Sequence, residues 1–434
     1  MLRMLGTMGR LLLAHWPALL AWFLFGQLGR HLAVEAAAYV GLYSGIGGLM
    51  LLALGVLFRL VALVAMLLVM RDGMAALQQV APTPVDRRER RDFFIDALIA
   101  AMIPFIAFYV AAGYLEEDRL DWARRAGELY ATDLGWGDSG ADLSRIVEVE
   151  VSALTIVLIV VAFTGRTLWT RFRDRLPEWT AAVAVVFELV WTFCVGFIIQ
   201  SFSAPVRDWV ESRAATAWAE GVGDAIARAA TPVAWAWEAL WWLVTQLVEV
   251  VSLPLAWLAI AGVVYGVAIS ARGLELDHRV IRAARTRLSR LPASAQRRLN
   301  DLGGMAASRV APIYGAIRLM LRGGPVLIGG FILLYSVTLL LEPVLLYAIT
   351  RLVGPHDLAT FWGVFDRLIL LVMPLIVEPL RLALVASAYD ATLDRVVLSA
   401  GQLETDERRG LALDRDVESK GAVDLARDEE AQAK

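Results

Sequence analysis

Five ionisable residues stand in the middle of long apolar runs: Arg59, Glu188, Glu342, Glu378 and Arg381. An ionisable side chain at bilayer depth costs roughly 2.5–3.5 kcal/mol on insertion scales, so each is a candidate for a substrate or ion path. Asp96 and Arg367 lie near the ends of their runs, within reach of water, and are set aside. Two of the glutamates share a local context, Leu-Leu-Leu-Glu342-Pro343-Val-Leu-Leu and Leu-Ile-Val-Glu378-Pro379-Leu-Arg381-Leu. A proline inside a helix frees the carbonyl four residues earlier and bends the chain, so Pro343 and Pro379 read as helix-bend residues beside carboxylates. Broken helices of this kind commonly line hydrated sites in membrane proteins. Glu378 and Arg381 are three apart and share one helix face. Either they belong to a salt-bridge network that fixes helix packing, with Glu188 or Glu342 as a partner on an adjacent helix, or they line a proton or substrate path.

Other chemistries find no residues. The single cysteine, Cys194, excludes an intramolecular disulfide and a thiolate cluster. The four histidines, His15, His31, His278 and His356, share no ligand spacing, so neither a metal nor a cofactor is expected. The Gly/Asp cluster from Leu134 to Gly140 lacks the alternating acids and closing glutamate of a calcium loop and reads as a turn between short helices. There is no G-x-x-x-x-G-K-[ST] loop, no H-E-x-x-H and no G-x-S-x-G, which weighs against an enzyme of those classes.

These residues must be positioned by membrane-spanning helices. The chain is 58% hydrophobic over 434 residues with a mean hydropathy of +0.60, more apolar surface than a soluble core buries. A spanning helix needs about 20 mostly apolar residues. The runs predict an all-α, polytopic bundle of about eight transmembrane helices near 11–28, 38–70, 93–115, 149–169, 179–202, 252–271, 325–349 and 368–389. Ala36-Ala37-Ala38 matches a small-x-small cleavage site but lies too far past the first run, which is therefore expected to stay as a span. The second run, Ala36 to Met70, is interrupted only by Arg59 and reads as one long or tilted span. Its Ser44, Gly45, Gly47, Gly48 and Gly55 offer a smooth surface for close helix packing.

Loop charge sets the orientation. The stretch from Thr231 to Ala271 starts with a good helix signal, Thr231-Pro232, followed by Trp235, Trp237, Trp241 and Trp242. Two crossings there would place the next segment, 272–322, outside, although it has eleven arginines against three acids. Basic loops stay cytoplasmic, so the stretch is expected to hold one interfacial helix and one crossing. With that count the basic loops 71–92, 166–178 and 272–322 are cytoplasmic, as are both termini. The outside loop 116–150 has ten acids and four arginines, and 205–250 holds further outside or interfacial amphipathic helices. The tail, 391–434, is charged and expected to be partly disordered.

Lys420 and Lys434 are the only lysines and Asn300 the only asparagine, a bias expected of a high-GC bacterial genome and hence of a bacterial inner membrane. The expected partners are the lipid bilayer and a cytoplasmic or membrane protein docking on 272–322. The basic residues are not interleaved with stacking aromatics, so no nucleic acid is expected. Two functions fit: a transport-type protein, either a permease or the membrane subunit of a transport complex, or a non-catalytic scaffold of an envelope complex. A membrane-embedded transferase using Glu116, Glu117 or Asp118 is the third.

Overall fold

A computed structural model describes residues 2–134, 142–147, 153–172, 175–177, 179–211, 231–270 and 324–395. The described chain is helical: α1 Leu2–Gly41, α2 Gly45–Arg71, α3 Ala75–Val80, α4 Arg87–Ala111, α5 Tyr114–Leu129, α6 Ser144–Val147, α7 Ala153–Phe172, α8 Thr180–Glu211, α9 Thr231–Ser270, α10 Pro325–Val353 and α11 Leu358–Arg395. Eight of these, α1, α2, α4 and α7 to α11, are long and apolar enough to cross a membrane. The chain is a polytopic helical membrane protein. The Gly/Asp cluster after Leu134, the basic segment 272–322 and most of the tail lie outside the described residues.

The apolar run from Ala36 to Met70 is not one helix. Its first residues finish α1, and the chain turns at Leu42-Tyr43-Ser44 before α2 begins. The Ser44 side chain accepts from the amide of Gly47, 3.2 Å away, and so caps α2. A short capped turn of mostly apolar residues between two apolar stretches leaves no polar gap in the sequence. The Ala36-Ala37-Ala38 stretch accordingly lies inside α1. The third span likewise ends early: Gly113, at φ 82°, reverses the chain, and Tyr114 and Leu115 open α5 instead.

The stretch from Thr231 to Ser270 forms one continuous helix, not a separate interfacial helix and span. Its two halves differ in packing. Leu240, Trp241, Trp242, Leu243, Val244 and Leu247 are exposed, while Leu258, Ala261, Val264 and Tyr265 are buried against the bundle. Tyr265 donates its hydroxyl to the carbonyl of Leu67 on α2 at 3.0 Å. Pro254 stands between the halves and removes one helical donor.

The loops gather at two ends of the bundle. At one end the start of α4 meets the α7–α8 turn, where Arg91, Asp92, Trp169, Leu176 and Pro177 line one crevice. Near the C-terminus of α2, Asp390 of α11 accepts from the amides of Ala76 and Leu77 at the start of α3. At the other end α5 folds back over the α1–α2 turn, and Arg145 donates to the carbonyl of Tyr43 at 2.6 Å. Gln200 near the end of α8 reaches Glu116 of α5 at the same end.

That end is tightly built. α5 is amphipathic and buries Leu115, Asp118, Trp122 and Ala126, a spacing of three and four residues. Trp122 is fully buried and donates Nε1 to the carbonyl of Ala37 at 2.8 Å. Its ring fills a notch over Gly41 and Gly48, where a Cβ would come within 2.8 and 2.5 Å of it. The small residues of α2 thus admit a tryptophan as well as a neighbouring helix.

Candidate functional site

Four of the five charged residues singled out in the apolar runs surround one cavity. Arg59 of α2, Glu342 of α10 and Glu378 and Arg381 of α11 line a space of about 460 Å³ in the half of the bundle nearest α5. Gln27 of α1, Tyr109 of α4, Tyr114 and Glu117 of α5 and Trp257 of α9 complete its polar and aromatic wall. Pro374, one helical turn before Glu378, also lines it. Pro343 and Pro379 lie within their helices beside the two glutamates, as read from the sequence.

Arg381 is the centre of the first charged group. It is 3% exposed and donates Nη1 to Glu378 at 2.8 Å and Nη2 to Glu342 on the facing helix. Its guanidinium also stands over the ring of Tyr335, 5.7 Å from the centroid. One guanidinium therefore serves two carboxylates, and both of those keep partial access to the cavity. The three-residue spacing on α11 supplies one pair, and α10 supplies the second from across the helix interface.

The second group was less legible. Asp118 of α5 is 1% exposed, yet in the sequence it stands in an acidic loop among ordinary surface acids. Arg30 of α1 donates Nε to its Oδ1 at 2.7 Å and Nη2 to Asp121 at 2.7 Å. Tyr109 donates its hydroxyl to Asp118 Oδ2, and Arg59 donates Nη1 to that same tyrosine oxygen at 2.5 Å. Arg59 is itself 4.0 Å from Asp118. The chain Arg30–Asp118–Tyr109–Arg59 thus runs from the α5 end into the cavity wall. With Asp121 counted beside Arg30, two arginines balance two aspartates, so this group is close to neutral. The sequence signal for Asp118 is its place on the apolar face of α5, four residues before Trp122.

Glu188 stands apart. It lies in α8 at 1% exposure and pairs with Arg166 of α7, away from the cavity. Arg166, the first residue of the expected basic loop 166–178, lies inside α7, which runs on to Phe172. Glu188 and Arg166 join two neighbouring helices in the manner expected of a packing pair. Among the described residues no group of three or more His, Cys, Asp and Glu side chains is arranged to hold a metal ion.

The cavity can hold a small molecule. Its volume is in the range of small-molecule sites, and its walls are largely apolar and aromatic with five charged side chains among them. No protein-family model, no curated protein and no solved structure matches the chain.

Proposed function

We propose that this chain is a transport-type membrane protein, a permease or the membrane subunit of a transport complex, whose path runs through the cavity between α2, α10 and α11. The observation that supports it is the convergence of Arg59, Glu342, Glu378 and Arg381 on one space inside the apolar part of the bundle. Helix packing alone asks for pairs of opposite charge, as Glu188 and Arg166 form. It does not ask for two partly accessible carboxylates around one arginine beside a cavity. Proline-interrupted helices carrying such groups are a common way to build a path, because freed carbonyls and carboxylates then face the same hydrated space.

The membrane in this reading is a bacterial cytoplasmic membrane, with the α5 end outside and both termini inside. Supporting it are the acidic loop 116–150 and the basic loops 71–92, 166–178 and 272–322.

Charge movement tests the proposal. Proteoliposomes on a solid-supported membrane are given a pH step, and the wild type is expected to produce a transient current. The variant carrying both Glu342→Gln and Glu378→Gln should incorporate to the same level and give none. A wild-type current equal to that of protein-free membranes, or an unchanged current in the double variant, would leave a scaffold role as the better reading.

A further inference from the structure

Much of the cavity wall is aromatic. Phe105, Tyr109, Tyr114, Phe108 and Trp257 form a continuous series, with successive ring centroids 5.4, 5.5, 5.9 and 5.3 Å apart. All five line the cavity. Ring faces are electron-rich and attract cations, most strongly those too bulky or too poorly hydrated to prefer water.

The charges favour the same ligand sign. Two arginines and three glutamates line the space, and each arginine already donates to a group in the wall. Arg381 has Nη1 on Glu378 and Nη2 on Glu342, and Arg59 has Nη1 on Tyr109. The Glu117 side chain, by contrast, is exposed and makes no hydrogen bond or ion pair among the described residues, and the Glu342–Arg381–Glu378 group carries one carboxylate more than its guanidinium balances.

The geometry points to a binding site for an organic ammonium group, held by the aromatic series together with Glu117, Glu378 and Glu342. The inference rests on the transport reading for the use of the site, but binding itself needs no transport. The ammonium can belong to a free amine or to the headgroup of a choline or ethanolamine lipid, since both present the same cation to the rings. The volume admits an ammonium bearing an aromatic or short apolar body.

Radiolabelled benzyltrimethylammonium serves as the probe, with the full chain in nanodiscs of phosphatidylglycerol alone and empty nanodiscs as the blank. Saturable binding is expected, displaced by choline and not by its neutral isostere 3,3-dimethylbutanol. Glu117→Gln, Glu378→Gln and Phe108→Leu should each weaken it by about tenfold, the size of one lost ionic or cation–π contact. Glu117→Gln is the decisive variant, because that exposed side chain holds no other residue in place, and Glu188→Gln should leave binding unchanged. Adding phosphatidylcholine to the nanodiscs separates the sources. Undiminished probe binding assigns the site to free ammonium ligands, and lost binding assigns it to the lipid headgroup. No saturable binding in phosphatidylglycerol, displacement by 3,3-dimethylbutanol equal to that by choline, or equal affinity in Glu117→Gln overturns the inference. A wild type that binds the probe and carries no current upholds the site and counts against transport; current without binding does the reverse.

Discussion

Arg381 of α11 donates to Glu342 of α10 across the helix interface while holding Glu378 on its own helix. With Arg381 replaced by Met, two carboxylates inside the bundle lose the only guanidinium within ion-pair distance of them among the described residues. Removing one partner of a buried ion pair costs roughly 3–5 kcal/mol, because the remaining charge stays desolvated. Arg381→Met should therefore lower the thermal unfolding midpoint in detergent sharply. Adding Glu342→Gln and Glu378→Gln to it should recover part of the loss, since no charge is then stranded. A triple variant no more stable than the single one would mean that Arg381 acts through its packing over Tyr335, not through charge.

Asp118 and Asp121 both accept from Arg30 but differ in surroundings. Asp118 is 1% exposed and Asp121 is 39% exposed. Asp118→Asn is expected to destabilise by about 3 kcal/mol, and Asp121→Asn by less than about 1 kcal/mol, because solvent screens the outer pair. Parallel thermal unfolding of the two variants measures the difference. Equal losses would indicate that Arg30 is anchored mainly from the outside.

How far the site could be read from the sequence follows from what each residue needs. Arg59, Glu342, Glu378 and Arg381 were conspicuous because a charge inside an apolar run has few innocent explanations. Their convergence was not, since it depends on which helices pack together, and no local pattern encodes that. Arg30 and Asp118 looked ordinary, one near the end of an apolar run and the other in an acidic loop. Only the periodicity of Leu115, Asp118, Trp122 and Ala126 marks Asp118 as inward-facing. The eight spans were legible from run length, whereas the turn at Tyr43-Ser44 was hidden because small and apolar residues continue through it. The signal there was Ser44 followed by Gly45, a cap at the start of a helix.

Gly48 tests the notch that seats α5. A methyl group there would meet the Trp122 ring at 2.5 Å and the Cα of Gly41 at 2.8 Å. Overpacking of this kind typically costs 1–3 kcal/mol, so about 2 kcal/mol is expected for Gly48→Ala. Gly127→Ala on α5 has open space around its Cβ and should be neutral or stabilising by roughly 0.5–1 kcal/mol through helix propensity. The pair of unfolding midpoints decides it. A neutral Gly48→Ala would show that Trp122 can withdraw from the groove.

Asp357 caps α11 from outside the membrane. Its Oδ1 accepts from the amides of Ala359 and Thr360 at 3.0 and 2.7 Å and from the Thr360 hydroxyl at 2.8 Å. The Thr360 amide above all, then its hydroxyl and the Ala359 amide, hold the carboxyl below its ordinary value of 3.8. A depressed folded value means that the cap's contribution is complete above 3.8 and is lost as the pH falls through the lower folded value. Hydrogen exchange at Ala359 and Thr360, corrected for its intrinsic pH dependence, should show constant protection from neutral pH down to about 4 and a fall below it. In Asp357→Ala the protection should be low throughout. Protection that falls between pH 7 and 5 would contradict the cap.

The two ends of the bundle allow the orientation to be measured directly. The start of α4 and the α7–α8 turn share one end, while α5 and the α1–α2 turn share the other. Arginine-rich segments resist translocation, so the proposed orientation has the first end in the cytoplasm. Single cysteines report on each end once Cys194 is replaced by Ser, and that residue is buried and unreactive to begin with. Gln79→Cys on α3 and Arg124→Cys on α5 both sit at exposed positions. In intact spheroplasts a membrane-impermeant maleimide should label Arg124→Cys at once and Gln79→Cys only after permeabilisation. The opposite pattern would invert the bundle and put the cavity, with Glu117 at its rim, on the cytoplasmic side. It would then draw its ligand from the cell interior, and the direction of any flux through Glu342 and Glu378 would reverse with it.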